Sequence, residues 1–114
     1  MLKKINRLKK RKEFAYIYKK GTRIYSPNLT LVKIDSKLPF CKIGFSVNNK
    51  IGKAVIRNKI KRRLREIIKP LIPQIKNCNL ILVAKPNITE LDFQQLKNET
   101  INLLKKGKII NENP

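Results

Sequence analysis

The chain has 114 residues and a formal net charge of +21, from 28 lysines and arginines against 7 aspartates and glutamates. A chain of this length builds one modest core, which excludes two domains and predicts a single domain over residues 1–114, with 1–7 and 108–114 flexible. Such a charge opposes a compact fold through self-repulsion unless a polyanion neutralises it, and nucleic acid is the obvious polyanion. Because residues 1–76 carry 23 of the basic residues, we expect this part of the chain to bind it.

The first predicted element is a helix over residues 8–20. Phe14, Ile17 and Tyr18 share one side of it, and Gly21 follows the last basic residues as the expected left-handed stop. Phe14 and Tyr18 are four residues apart and project side by side among lysines. Such a pair is most often part of a core, but it could instead form a groove in which unpaired bases stack.

Two strands are predicted next, at residues 29–35 and 42–48, where branched and aromatic residues are concentrated. Only a short turn separates them. We therefore expect the two strands to pair as an antiparallel hairpin. Tyr25, which precedes the first of these strands, is a weaker candidate for base stacking than the aromatic pair of the helix.

A strongly basic helix is predicted from about residue 53 to residue 69, where Pro70 and Pro73 end it. Its apolar side chains form one stripe at helical spacing, which we expect to be buried: Ile56, Ile60, Leu64 and Ile67. Between Lys50 and Arg65 the chain has eight basic residues and no acidic one. A merely solvated helix would commonly carry acidic partners four residues away, so this uncompensated charge favours contacts with phosphates.

The remaining elements are a strand and a last helix. Residues 79–85 form a nearly continuous apolar run, which is typical of a strand covered on both faces, and we expect this strand to be central. Pro86 ends it, and a helix is predicted to begin near Thr89. Four side chains are expected on the buried face of that helix: Phe93, Leu96, Thr100 and Leu104.

Enzyme chemistry within the protein is poorly supported by its residue types. The chain has no histidine, so the commonest general base and the usual nitrogen ligand of metals are both absent. It also lacks a glycine-rich nucleotide-binding motif. Cys41 and Cys78 form no paired motif, and we expect them to be buried thiols in a reducing cytosol. No apolar run approaches 18 residues, so we expect a soluble protein that is not exported.

Residues 50–66 strongly resemble the signature helix of the protein subunit of bacterial ribonuclease P. Further similarities cover most of the chain: Arg7-Leu8, Glu13-Phe14, Lys20-Gly21-Thr22, Gly44-Phe45-Ser46-Val47 and the strand from Leu80 to Pro86. The resemblance implies an α+β fold of the ribosomal protein S5 domain 2-like class, with a small mixed sheet of three to four strands, three helices and the order α-β-β-α-β-α. It also implies a left-handed β-α-β crossover through the basic helix, where sequence rules alone predict a right-handed one.

In that family the protein assists a catalytic RNA that removes the 5′ leader from precursor tRNA. The resemblance implies that the basic helix lies against this RNA, and that a cleft between the first helix and the sheet receives the unpaired leader. The residues that would contact the RNA subunit are Lys53, Arg57, Asn58, Lys59, Lys61, Arg62 and Arg65. Those that would line the leader cleft are Phe14, Tyr18, Thr30 and Val32. Further RNA contacts are expected at Arg7, Lys10 and Lys50.

The implied function is that of the RNA-binding protein subunit of a ribonucleoprotein endoribonuclease, in which the RNA and its Mg²⁺ ions carry the chemistry. No catalytic residue is assigned within the protein. We expect a cytoplasmic location, with neither a membrane partner nor a small-molecule substrate. Two alternatives stay open: a ribosomal or other structural RNA-binding protein, and a duplex-DNA binder that reads the major groove with the same helix.

Overall fold

The computed structural model describes residues 2–75 and 77–110. Within these residues there are four strands: β1 (Thr22–Tyr25), β2 (Leu29–Asp35), β3 (Lys42–Ser46) and β4 (Cys78–Ala84). The α-helices of the same residues are α1 (Arg11–Lys20), α2 (Ala54–Ile68) and α3 (Phe93–Lys106). Short 3₁₀ turns lie at Lys4–Asn6, Asn49–Ile51, Lys69–Gln74 and Pro86–Glu90. The predicted α+β class and its three helices are therefore confirmed.

The four strands form one mixed sheet in the spatial order β1-β2-β4-β3. β4 pairs antiparallel with β2 and parallel with β3, so the predicted central position of this strand is confirmed. The predicted hairpin between β2 and β3 is wrong, because β4 lies between them. The short connecting turn suggested the hairpin, but the most apolar strand buries more surface in the middle of the sheet. β2 instead forms its hairpin with β1.

The two faces of the sheet pack against different helices. One face joins α2 and α3 in the main core, which includes Leu31, Leu82, Leu64 and Leu104. The other face is covered by α1 and carries a smaller cluster: Leu8, Ile17, Val32 and Ile81. Successive residues of a strand point to opposite faces, so β2 and β4 supply side chains to both clusters. Because α1 alone covers its face, part of that face remains open.

The apolar stripe of α2 is buried as predicted at Ile60, Leu64 and Ile67. The prediction is wrong at Ile56, whose side chain is 41% exposed. This residue lies in the first turn of α2, where the helix extends past the edge of the core. The α-helix ends at Ile68, and the chain continues as a 3₁₀ turn that includes both prolines.

The beginning and end of α1 both differ from the prediction. The helix begins at Arg11 rather than at residue 8, because the backbone amide of Leu8 donates a hydrogen bond of 3.0 Å to Ile43 O at the edge of the sheet. Gly21 is not left-handed but extended, with φ of −76°. A Cβ at this position would lie 2.8 Å from Lys33 O of β2. The end of α1 approaches the backbone of β2 so closely that only glycine fits there.

The last helix also begins later than predicted. Its N-cap is Asp92 rather than Thr89, and the Asp92 carboxylate accepts a hydrogen bond of 2.8 Å from the backbone amide of Gln95. The Gln95 side chain accepts one in return from the amide of Asp92, at 2.9 Å. Of the predicted buried face, Leu96, Thr100 and Leu104 are buried. Phe93 is 36% exposed, because it stands in the first turn and beyond the core.

The amino-terminal segment, which we expected to be flexible over residues 1–7, makes specific contacts from residue 2 onward. Leu2 is buried, and Asn6 is buried with its Nδ2 donating a hydrogen bond of 2.7 Å to Cys41 O. Arg7 forms a parallel bridge to Ile43 on the outer edge of β3. At the other end Ile110 is buried, whereas residues 111–114 of the expected flexible tail lie outside the described residues.

Candidate nucleic-acid interface

The side chains predicted to contact the RNA subunit lie on α2 or, for Lys53, at its N-cap. We call this set the α2 face: Lys53, Arg57, Asn58, Lys59, Lys61, Arg62 and Arg65. Within the described part of the chain, the single ion pair joins Lys42 to Glu13, at 3.0 Å, and it lies outside this face. No carboxylate of the described residues therefore forms an ion pair with the basic side chains of the α2 face. A shallow groove along it is lined by Asn58, Arg62, Arg65, Glu66 and Lys69.

Two arginines of α2 also donate hydrogen bonds within the protein. Arg57 is half-buried, and its Nε donates a hydrogen bond of 3.1 Å to Gly52 O, which fixes the turn before the helix. Arg63 Nη1 donates one of 3.3 Å to Leu91 O, just before α3. Arg63 was not among the predicted RNA contacts, and this bond gives it a structural role. The guanidinium of Arg57 keeps its two terminal nitrogens for a ligand.

Three basic residues from two segments meet at the outer edge of β3. They surround a cavity of about 130 Å³ together with apolar side chains; its lining is Leu2, Arg7, Leu8, Phe14, Ile43, Gly44, Phe45, Lys61 and Arg65. The guanidinium carbon of Arg65 lies 6.0 Å from the centre of the Phe45 ring. Arg7 Nε donates a hydrogen bond of 3.0 Å to Leu2 O, which holds its side chain at this edge. The α2 face and the aromatic side of α1 are thus adjacent here.

The aromatic pair of α1 packs against the sheet with part of each ring exposed. Phe14 and Tyr18 are both half-buried around the smaller cluster. Phe14 lies against Gly44 of β3, where the absence of a side chain admits the ring. The guanidinium carbon of Arg23 lies 5.7 Å from the centre of the Tyr18 ring, and Arg23 Nη2 donates to Tyr18 O at 3.2 Å.

A line of four residues crosses the sheet beside α1. The strand registers place Tyr25 opposite Thr30, Thr30 opposite Val83, and Val83 opposite Ser46. Residues in register point to the same face, so these four form a cross-strand row on the face that α1 partly covers. We call the space between the aromatic pair and this row the α1 groove. The leader cleft that the family resemblance implies, between the first helix and the sheet, would lie in this space.

The predicted cleft residues contribute to the α1 groove unequally. Thr30 belongs to the cross-strand row. Val32 lies in the next row, within the cluster that contains Ile17, and is only 1% exposed. It therefore contributes to the buried floor of the groove, as does Thr30, of which only 9% is exposed. That these two residues line a leader cleft stays a prediction. Val83 and Ser46 are half-buried members of the row that the sequence did not indicate.

The other predicted RNA contacts are exposed. Lys10 stands at the N-cap of α1, where its backbone amide donates a hydrogen bond of 3.4 Å to the Glu13 carboxylate. The backbone amide of Lys50 donates one of 3.0 Å to Asn48 Oδ1 in the turn that precedes α2. Both side chains are exposed at the surface. These hydrogen bonds fix the backbone at Lys10 and Lys50, and so the position of each Cα–Cβ bond.

The acidic and thiol groups of the protein have defined surroundings. A hydrogen bond from Lys42 holds the pKa of Glu13 below its usual value. Burial raises the pKa of Cys78 to about 11, and burial also raises the pKa of Cys41, so both thiols stay protonated at neutral pH.

In residues 2–75 and 77–110, no group of three or more histidine, cysteine, aspartate or glutamate side chains is arranged to hold a metal ion. Nor is any helix of these residues long and apolar enough to span a membrane.

Comparisons with known proteins all point to one family. The family model described as Ribonuclease P matches residues 2–108. The ribonuclease P protein component of Streptococcus thermophilus is 30% identical over 108 residues, which are 95% of this chain and 97% of that protein. That of Thermoanaerobacter sp. strain X514 is 36% identical over 107 residues, or 93% and 92% of the two chains.

Solved structures give the same result. The RNase P protein of Staphylococcus aureus superposes with a TM-score of 0.89 at 33% identity, covering 93% of this chain and 98% of that one. The RNase P protein of Thermotoga maritima has a TM-score of 0.81 at 28% identity, with 88% and 96% of the chains covered. The family match over residues 2–108 includes every residue of the α2 face and of the α1 groove.

Proposed function

Since the chain belongs to the ribonuclease P protein family, and so is an RNA-binding subunit of that ribonucleoprotein endoribonuclease, we propose that its two surfaces bind two different RNAs. The α2 face binds the catalytic RNA. The α1 groove binds the unpaired 5′ leader of precursor tRNA. The protein lies between the two RNAs and lowers the repulsion between their phosphates.

Binding of the catalytic RNA by the α2 face is supported by its charge. Seven polar and basic residues lie on or just before one helix, and none of them pairs with a carboxylate in the described part of the chain. Arginine forks can each grip a phosphate with two parallel hydrogen bonds, and Arg62 and Arg65 share one groove with Asn58. The face would release counterions from the RNA on binding, so its affinity falls as salt is raised.

Binding of the leader by the α1 groove is supported by its aromatic rings. Phe14 and Tyr18 are half-buried, so each ring is held firmly by the sheet while part of it stays open to a base. A base stacked on such a ring contributes about 1 to 3 kcal/mol and needs no particular sequence, which suits a subunit that acts on many precursors. Arg7, Lys61 and Arg65 lie at the β3 edge, where they can hold the phosphates that pass from one surface to the other.

The cleavage chemistry would belong to the RNA. Mg²⁺ bound there would lower the pKa of the attacking water and stabilise the charge that develops on the phosphodiester. We propose that this ion binds through the RNA subunit, whose phosphates are the oxygen ligands that Mg²⁺ commonly uses. The protein would orient the precursor and screen charge. Its place is the cytoplasm, where precursor tRNA is processed.

The alternative proteins considered for this basic helix are less well supported. A ribosomal or duplex-DNA-binding protein could carry a similar helix, but the family match over residues 2–108 includes α1 and the sheet as well. The single observation that most favours leader binding is that Phe14 lines both the α1 groove and the cavity shared with Lys61 and Arg65. One continuous surface therefore connects the two proposed RNA sites.

The test is cleavage of a precursor tRNA by a bacterial ribonuclease P RNA at low magnesium, with and without this chain. We expect the chain to stimulate cleavage, because its charge replaces part of the screening that magnesium otherwise supplies. The matched control is the double variant Arg62→Ala, Arg65→Ala, which should stimulate less at the same concentration. Equal cleavage with and without the wild-type chain would overturn the proposal.

A further inference from the structure

A carboxylate of α3 accepts three hydrogen bonds from the turn between β1 and β2. Ser26 Oγ donates a hydrogen bond of 2.6 Å to Glu99 Oε2, and the backbone amide of Asn28 donates one of 2.8 Å to the same oxygen. Asn28 Nδ2 donates a third, of 2.8 Å, to Glu99 Oε1. Burial alone would raise the pKa of Glu99, but these hydrogen bonds outweigh burial and hold it below its usual value. The anion and the turn therefore form one rigid unit.

The same turn holds a lysine beside a tyrosine. Lys85 Nζ donates a hydrogen bond of 2.7 Å to Ser26 O, and its backbone amide donates one of 3.0 Å to Asn28 O. The ammonium lies 5.6 Å from the centre of the Tyr25 ring. Lys106 Nζ donates a hydrogen bond of 3.3 Å to Tyr25 O from α3. An ammonium has three donors, so Lys85 can still bind a phosphate oxygen.

Tyr25 lies at the far end of the α1 groove from Phe14. It is the β1 member of the cross-strand row, and 58% of its side chain is exposed. Phe14 lies over β3, and the strand order places β1 and β3 on opposite edges of the sheet. Three strand spacings separate these edges, which is about 14 Å. A base on Tyr25 would therefore be a different nucleotide from one on Phe14.

We propose that Tyr25 and Lys85 form a further nucleotide subsite at the β1 end of the α1 groove, and that Glu99 is its positioning residue. The ring stacks on a base of the leader and the ammonium binds an adjacent phosphate. Glu99 touches no nucleotide; it fixes the turn that holds Tyr25 and Lys85 together. The subsite rests on the proposed leader binding and extends it to longer leaders.

The experiment is a binding series with the holoenzyme, assembled from this chain and a bacterial ribonuclease P RNA, and precursor tRNAs whose leaders increase one nucleotide at a time. Tyr25→Ala should bind long leaders about tenfold more weakly, the size of one base–aromatic stack, and should bind the shortest leaders as the wild type does. Tyr25→Phe should keep most of the affinity for long leaders, because it retains the ring. Phe14→Ala should lose affinity at shorter leader lengths than Tyr25→Ala does.

The outcomes separate the subsite from the proposed function. If Tyr25→Ala follows the wild type at every leader length while Phe14→Ala is weakened, the subsite is wrong and leader binding stands. If the wild type binds all precursors alike, whatever their leader, both proposals are wrong. Tyr25 is an exposed residue, so its replacement leaves the core intact and this comparison does not depend on a damaged fold.

If Glu99 positions the turn, its removal should weaken the binding of long leaders, whereas the loss of its negative charge alone should strengthen RNA binding. Glu99→Ala raises the net charge by one, which by itself should strengthen binding to any RNA. We expect it instead to weaken binding of long leaders several-fold, with short leaders bound slightly more tightly. The control is Glu90→Ala, which removes an exposed carboxylate of the same charge and should strengthen binding at all lengths.

Glu99→Gln keeps an oxygen that can accept part of these hydrogen bonds, so its affinity for long leaders should lie between those of Glu99→Ala and the wild type. Thermal unfolding of each variant confirms that the folded protein is being compared. If Glu99→Ala strengthens binding at every length, as Glu90→Ala does, the positioning role is wrong.

Discussion

The ring of Phe14 rests on the backbone of Gly44, so closely that a Cβ at residue 44 would lie 2.6 Å from Phe14 Cζ. Real Cβ atoms do not approach other atoms to this distance, so glycine at this position sets how deep the aromatic ring can lie. The contact joins α1 to β3 at the edge where Lys61 and Arg65 of α2 also converge. A packing detail of the sheet thereby fixes the position of a proposed base-stacking surface.

Replacing this glycine should displace the ring. Gly44→Ala is expected to reduce the free energy of unfolding by about 1 to 3 kcal/mol, because the added methyl group overpacks the contact. The double variant with Phe14→Ala should lose less than the sum of the two single variants, since the atoms that clash are then absent. Urea unfolding of the four proteins measures this coupling, and additive losses would contradict the described contact.

Removal of the ring itself tests the α1 groove. Phe14→Ala should weaken binding of leader-bearing precursor tRNA by about 1 to 3 kcal/mol and leave binding of mature tRNA nearly unchanged, because only the leader supplies a base to the ring. Tyr16→Ala is the matched control, as Tyr16 is an exposed aromatic residue of the same helix. Equal losses on precursor and mature tRNA would remove Phe14 from leader binding.

Salt dependence tests the α2 face. Arg62→Ala or Arg65→Ala should lower the slope of log affinity against log salt for the catalytic RNA by about 0.7 to 0.9, the value for one lost phosphate contact. Lys37→Ala removes an equal charge from the loop after β2 and should leave the slope unchanged. The slope is measured by titrating the RNA at several salt concentrations. A slope that neither arginine variant changes argues against contact between this face and RNA.

The lowered pKa of Glu99 predicts part of the acid sensitivity of the fold. Its hydrogen bonds hold the pKa of Glu99 below the usual value of a glutamate, so its contribution to the free energy of unfolding is fully present above that usual value and is lost as the pH falls through the folded pKa. Glu99→Gln should therefore lose less stability than the wild type when the pH is lowered from about 6 to about 3. Urea unfolding across this range measures the difference. Parallel pH profiles would show that Glu99 contributes nothing to acid unfolding.

The elements with strong local patterns were predictable from the sequence. β2 has the predicted bounds, and α2 differs from the predicted 53–69 by one residue at each end. Both have clear periodicity or a dense run of branched residues, which local reasoning can use. The central position of β4 also followed from its composition. The left-handed crossover stays a prediction of the family resemblance.

Features that depend on distant contacts were not predictable. β1 has few apolar side chains and forms because β2 offers it a partner, so no local pattern indicated it. The hairpin error has the same origin, since the pairing of β4 with both β2 and β3 is decided by the whole sheet. The cross-strand row depends on that pairing, which is why the sequence did not indicate Val83 and Ser46, nor how deeply Val32 is buried on the same face.

The most direct test of the central claim is site-specific crosslinking from the α2 face to the catalytic RNA. Cys41 and Cys78 are buried, with pKa values raised by burial, so a thiol-directed crosslinker should react selectively with a cysteine introduced at the surface. Asn58→Cys lies on the α2 face, and Asn98→Cys on the exposed side of α3 serves as the control. We expect crosslinks to the ribonuclease P RNA from residue 58 and few from residue 98. Efficient crosslinking from residue 98 with none from residue 58 would contradict the account.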